Sequence, residues 1–184
     1  MQRCLWAQDN DLMQNYHDNE WCKPSHDDRY IFEMLTLEGA QAGLSWQIIL
    51  NKRTAYQEAF ANFDIKYCAS LSEEQIEKIC TEYNIVRNRN KVHSVRSNAL
   101  LVQKLQEEYG SFAKFLWRYV ANVPVDSIWP GGRLPAQTPL SEQISSDLKK
   151  LGFKFVGPVI IYSFMQAIGL VNDHEENCFC RMKK

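Results

Sequence analysis

Long hydrophobic runs are missing from this sequence. The most apolar stretch, VGPVIIYSF, is broken well short of the roughly 20 residues that a membrane-spanning helix needs. No basic segment followed by an apolar one opens the chain, so neither a secretory leader nor a membrane contact is expected, and the expected location is cytoplasmic. Alternating polar and apolar runs are absent, as are internal repeats, which argues against a sheet or a solenoid. Glycine and proline are scarce, 8 and 6 of 184 residues, and 45% apolar content excludes a disordered chain. Without a leader, the six cysteines (Cys4, Cys22, Cys68, Cys80, Cys178, Cys180) read as free thiols or metal ligands rather than a disulfide framework. Net charge is nearly absent too, at −1, but it is unevenly spread. Residues 1–40 carry eight acids against three bases, and residues 87–118 seven bases against two acids, so one face is expected to suit a polyanion.

What is present is helical periodicity. Asp27 and Asp28 can cap a helix to about Gly43, Ser45 one to Phe60, and Ser72 with Gln75 forms a capping box. Further helices are predicted from Asn90 to Glu108, ending at Gly110, and from Phe112 to Val120, entered at Ser111. Residues 122–140 hold four of the six prolines and a Gly-Gly pair and read as a loop. Ser141 then caps a helix ending near Gly152, and Pro158 suits the first turn of another. The sum is a single all-α domain spanning 1–184.

Four features carry chemistry. Gly152 and Gly157 bracket a short stretch between two helices, where backbone N–H groups are left for a phosphate, with Lys149, Lys150 and Lys154 alongside. The same pattern also fits an ordinary helix–helix turn with surface lysines. Glu38 falls inside the apolar stripe of Ile31, Met34, Leu35 and Ala42. Buried alone it becomes neutral, and it is either salt-bridged or a pocket carboxylate awaiting a ligand. Trp6, Tyr16, Trp21 and Trp46 bring three of the five tryptophans into the first 46 residues. They are either core or the walls of a pocket for a flat, cationic ring. Finally, Cys4, His17, His174 and Cys178 have the composition of a closed Cys₂His₂ zinc site tying the two termini together, His174 and Cys178 being one helical turn apart. The gap from Cys4 to His17 is no standard finger spacing, and Cys180 competes with Cys178.

Over nearly its full length the chain resembles the DNA-3-methyladenine glycosylase I family, within the helix-hairpin-helix superfamily. The segments RCLW, YHDNEW, LEGAQAGLSW, LKKLGFKFVGP and YSFMQAIGLVNDH stand in that family's order and at about its intervals. The resemblance implies a compact helical domain with its hairpin at about 141–169 and its termini, 1–20 and 170–184, joined at one structural zinc ion on Cys4, His17, His174 and Cys178. It implies Glu38 as the base-binding acid, Trp46 as the stacking residue and Tyr16 as the pocket hydroxyl, with Trp6 and Trp21 nearby. Gly152, Lys154, Gly157 and Lys150 would meet DNA. The implied reaction is monofunctional excision of 3-methyladenine from alkylated double-stranded DNA by a monomer, with the free base as product. A zinc-stapled module that binds damaged DNA without excision is the alternative. Three positions depart from the family pattern: Met13 where a tyrosine is usual, Cys22 where a glycine often follows the tryptophan, and Asn90 where RGK is expected. Asp173 resembles the superfamily's catalytic aspartate only weakly, since it adjoins His174.

Overall fold

The computed structural model describes residues 2–8, 10–129 and 133–181. Among these residues nine α-helices run in chain order: α1 (Asp11–Asn19), α2 (Asp28–Gln41), α3 (Trp46–Ala59), α4 (Ile65–Ser70), α5 (Glu73–Glu82), α6 (Arg89–Tyr109), α7 (Phe112–Trp117), α8 (Pro139–Leu151) and α9 (Pro158–Ala167). The sheet content is one short parallel pairing of β1 (Val125–Asp126) with β2 (Val171–Asn172), so the all-α expectation holds apart from a stitch that the loop composition did not announce. The rest of the expected loop contributes the cap of α8. Thr138, not Ser141, is its N-cap, and Ser141 completes the capping box from inside the first turn behind Pro139. Residues 130–132 of that loop lie outside the described residues, as do Met1, Asp9 and 182–184 of the expected terminal regions. Among the described residues no helix is long and apolar enough to cross a membrane.

Helix α2 is the axis of the molecule and packs against α3, α6, α7 and α9. Residues 31–35 and 37–40 are all buried, so the apolar stripe read from the sequence is in fact nearly a full circumference, with exposed Ala42 beyond its end. Ile31, Phe32, Met34 and Leu37 have no accessible surface, each contributing roughly 1.5–3 kcal/mol of burial. The two acids at its start divide their work. Asp27 caps α2 itself, whereas Asp28 reaches across to accept from the amides of Phe112 (3.0 Å) and Ala113 (2.8 Å), capping α7.

Two close approaches set the site. A Cβ at Gly39 would lie 3.2 Å from that of Phe155, which lets α2 lie against the 152–157 hairpin. At Gly169, φ is +73° and a Cβ would fall 2.3 Å from the carbonyl carbon of Lys23, so only glycine fits. There the N-terminal segment is laced to the end of α9: Cys22 N donates to Gln166 O (2.8 Å) and Ser25 N to Ile168 O (3.0 Å). Cys22 itself has φ +59°, a left-handed conformation that explains why a glycine suits this position.

A base-sized cavity backed by a Cys/His cluster

Between α1, α2, α3 and α9 lies a cavity of about 300 Å³, lined by Trp6, Met13, Tyr16, Trp21, Glu38, Gln41, Trp46, Leu134, Ser163 and Gln166. All five sequence candidates for a ring pocket are therefore brought together. Helix α1, which the sequence reading passed over, makes this possible. Asn10 accepts from Met13 N (3.0 Å) as its N-cap, and the i, i+3, i+4 spacing puts Met13, Tyr16 and His17 on one face. The signal was there in Asn10 followed by that spacing. Trp46 opens α3 behind the Ser45 cap, with its ring 5.2 Å from that of Tyr16. Trp6 stands edge-on to Trp21 at 4.9 Å.

Among the described residues, three buried polar side-chain atoms lack a hydrogen-bond partner: Trp6 Nε1, Trp46 Nε1 and Glu38 Oε2. All three belong to residues of this cavity. Native proteins rarely leave such atoms unpaired, and the cost falls away when a ligand supplies the partners. Burial pushes the Glu38 carboxyl up to about 8, with no ion pair to hold it down. Burial, and then Glu38 itself, raise the Tyr16 phenol well above its ordinary value, so it is a neutral hydroxyl.

Behind the aromatic wall the chain ends meet. Cys4, His17, His174 and Cys178 are all buried, and their ligand atoms lie within 4.8 Å of one another. His174 Nδ1 is 3.6 Å from Cys4 Sγ and 3.5 Å from Cys178 Sγ, and His17 Nε2 is 3.4 Å from Cys178 Sγ. A zinc tetrahedron has S···N edges of about 3.6 Å, so the donor set fits that ion. His17 Nδ1 pairs with Asp18 Oδ1 at 2.8 Å, and Arg3 grips Asp18 from outside, an outer shell that fixes the ring. Burial pushes the Cys4 thiol up to about 12 and holds His174 down at about 4, so a cation entering here must displace thiol protons. His174 and Cys178 are not on a helix, contrary to the expectation from their spacing: a turn closed by Cys178 N to Glu175 O (2.9 Å) joins them. Cys180 stays outside the group of four, 3.9 Å from His17 Nδ1. The cluster touches the cavity wall directly, with His17 edge-on to Trp6 at 5.4 Å and His174 to Trp21 at 4.8 Å.

At the hairpin, Gly152 ends α8 with φ +101° and Gly157 precedes Pro158 with open space where a Cβ would stand. Asn98 clamps the turn by accepting from Lys154 N (2.9 Å) and donating to Lys154 O (3.1 Å), and Ser145 Oγ donates to Val156 O (2.6 Å). Lys154 is exposed, while Lys150 pairs with Asp147 at 3.1 Å. The basic run in 87–118 is largely spent within the molecule. Arg89 and Arg96 pair with Glu77 and Glu73, Lys91 Nζ donates to the carbonyls that end α2, and Arg118 lies over three aromatic rings. Two of the seven bases are thus balanced by acids of α5 that the local count did not include. Asp173 is buried and accepts from Trp129, Tyr162 and Gln166, and it does not line the cavity.

A mostly helical scaffold thus holds an aromatic cavity around a lone carboxyl, next to a clamped hairpin. The comparisons with known proteins give its family. A family profile described as methyladenine glycosylase matches residues 6–181. The chain is 42% identical over 181 residues to DNA-3-methyladenine glycosylase 1 of Escherichia coli strain K12, covering 98% of this chain and 97% of that protein. The solved structure of a 3-methyladenine DNA glycosylase I from Staphylococcus aureus, concerned with 3-methyladenine recognition, superposes with a TM-score of 0.93 at 38% identity, covering 99% of this chain and 97% of that one. A single-residue variant of a 3-methyladenine DNA glycosylase I, in complex with 3-methyladenine, gives a TM-score of 0.94 at 37% identity over 100% and 99% of the two chains. The chain belongs to the methyladenine glycosylase family.

Proposed function

We propose that this protein, acting as one glycosylase domain, hydrolyses the N-glycosidic bond of 3-methyladenine in alkylated double-stranded DNA and releases the free base. The observation that carries the reading is the trio of unpartnered atoms, Glu38 Oε2, Trp6 Nε1 and Trp46 Nε1, in a cavity with room for a purine. Methylation at N3 makes the base cationic. Glu38, neutral near pH 7 when the cavity is empty, gives up its proton when that cation supplies the missing charge. The carboxylate then accepts from the exocyclic amine, Tyr16 supplies a hydroxyl, and Trp46 stacks on the ring, with Trp6 and Trp21 closing the wall. Ordinary adenine brings no charge and leaves the carboxyl neutral, so damage is selected electrostatically as well as by shape.

The base must leave the duplex to enter, at a cost of a few kcal/mol for unstacking. In this reading the hairpin grips the backbone through its free amides, with Gly152, Gly157, Lys150 and Lys154 at the contact. The glycosidic bond breaks with its electron pair going to the base, which neutralises the ring, while water adds to the sugar carbon and loses a proton. Among the described residues no lysine lines the cavity to attack instead, in keeping with monofunctional hydrolysis. Cys4, His17, His174 and Cys178 would hold one structural zinc, whose four protein ligands leave no open position for water or substrate. Its part is to brace Trp6 and Trp21 from behind.

The test is incubation with methylated duplex DNA, with chromatographic detection of released 3-methyladenine and a metal count on the same sample. Release with about one zinc per chain is expected. Met13 offers the ring no hydrogen bond and so favours the alternative, a binding module without excision. Retention of methylated DNA with no released base would establish that alternative and sink the enzyme.

A further inference from the structure

Three polar side chains of the cavity, Gln41, Ser163 and Gln166, have no part in the roles above, and of these Gln166 alone is buried. It is 7% exposed and projects from α9 into the cavity lining. Its Nε2 donates to Asp173 Oδ2 at 2.8 Å. That carboxylate is held at both oxygens: Tyr162 Oη donates to the same oxygen at 2.6 Å and Trp129 Nε1 donates to Oδ1 at 2.9 Å. The indole can only donate and the Tyr162 hydroxyl donates to the oxygen that Gln166 meets, so Asp173 faces Gln166 as an acceptor. Turning the amide over would set oxygen against oxygen and lose a buried hydrogen bond. The atom left for a ligand is therefore Oε1, an acceptor that bonds no other described residue.

We propose that Gln166 reads the six-position of the base, its Oε1 accepting from an exocyclic amine and rejecting a carbonyl, with Asp173 as the positioning residue that fixes which end of the amide is presented. This deepens the reading of the cavity as a base pocket and rests on it. The amine of adenine carries two hydrogens, one for Glu38 and one for Gln166. A six-carbonyl base has no hydrogen for Gln166 and brings a lone pair against its Oε1, the kind of mismatch that discriminates strongly in a dry site, whereas a neutral Glu38 can donate to the carbonyl and does not reject it.

The experiment is tryptophan-fluorescence titration of the purified protein with free 3-methyladenine and free 3-methylhypoxanthine, which carry an amine and a carbonyl at that position. The unsubstituted protein should prefer 3-methyladenine, and Gln166→Leu should shrink the preference about tenfold, mainly by weakening 3-methyladenine. Asp173→Asn should shrink it too, because the new amide can donate and lets Gln166 reverse. Adding Gln166→Leu to Asp173→Asn should then change the ratio no further. A merely structural role predicts equal weakening of both bases at constant ratio, and that result overturns the proposal. So does a folded Gln166→Leu with the original ratio; should Asp173→Asn not fold, Gln166→Leu alone decides. If the unsubstituted protein binds no 3-methyladenine, the base-pocket reading falls and takes this inference with it. Binding and excision of 3-methyladenine with an unaltered ratio in the variants would overturn the inference alone.

Discussion

Helix α2 carries two buried glutamates five positions apart, and they are treated in opposite ways. Glu33 is 8% exposed and accepts from Arg53 Nε and Gln57 Nε2, both at 2.8 Å, while Arg53 also grips Glu20. Glu38 is 4% exposed, has an oxygen without any partner, and is pushed up to about 8 by burial. The same residue type on the same helix is neutralised where it holds α2 to α3, and left bare where it faces the cavity. A buried carboxyl becomes a candidate site when the fold has had the means to pair it, as at Glu33, and has not done so.

The comparison can be broken most sharply at Glu38. Glu38→Gln should reduce release of 3-methyladenine by roughly 10²–10³-fold, the loss typical of one preorganised electrostatic contact, while circular dichroism shows an intact fold. Glu33→Leu should do the reverse. It removes one of the two carboxylates that hold Arg53 and leaves Glu20, at roughly 1.5–3 kcal/mol, lowering Tm by roughly 3–12 °C in differential scanning calorimetry, with excision by the folded fraction unchanged.

Titration sharpens the contrast. With its folded pKa raised above the unfolded one, Glu38 binds its proton more tightly in the native state. Its contribution to stability is thus fully present below about 4.5 and is lost as pH rises through about 8. Glu38→Gln removes that loss. Thermal melts should find the variant more stable than the parent at pH 9, by on the order of 10 °C, and no more stable at pH 4, whereas Glu33→Leu shows no such gain at high pH. Equal melting curves at pH 9 would mean that Glu38 already has a partner. The smallest effect belongs to the hairpin. Lys154→Ala should weaken binding to duplex DNA a few-fold and reduce the slope of affinity against salt by about one, without changing the affinity for free 3-methyladenine.

What could be read from the sequence follows the range of the interactions. The caps at Ser45, Ser72 with Gln75, Ser111 and Gly110, and Pro158 at the start of α9, appear where expected because each depends on residues within a turn. Glu38 was legible because a charge interrupts an apolar helix. The charge count over 87–118 left out Glu73 and Glu77, which pair with Arg96 and Arg89 from another helix. Gln166 went unread for a similar reason: its meaning comes from Asp173 and from α1 across the cavity, and neither contact leaves a mark in local spacing. The stitch of β1 to β2 joins segments more than 40 positions apart through two residues each, too little to imprint an alternating pattern.

Trp6 leans on His17 and Trp21 on His174, and those two rings meet each other and Cys178 in the cluster behind the wall. Stretches of chain more than 150 positions apart must therefore both be in place before the aromatic side of the cavity is backed.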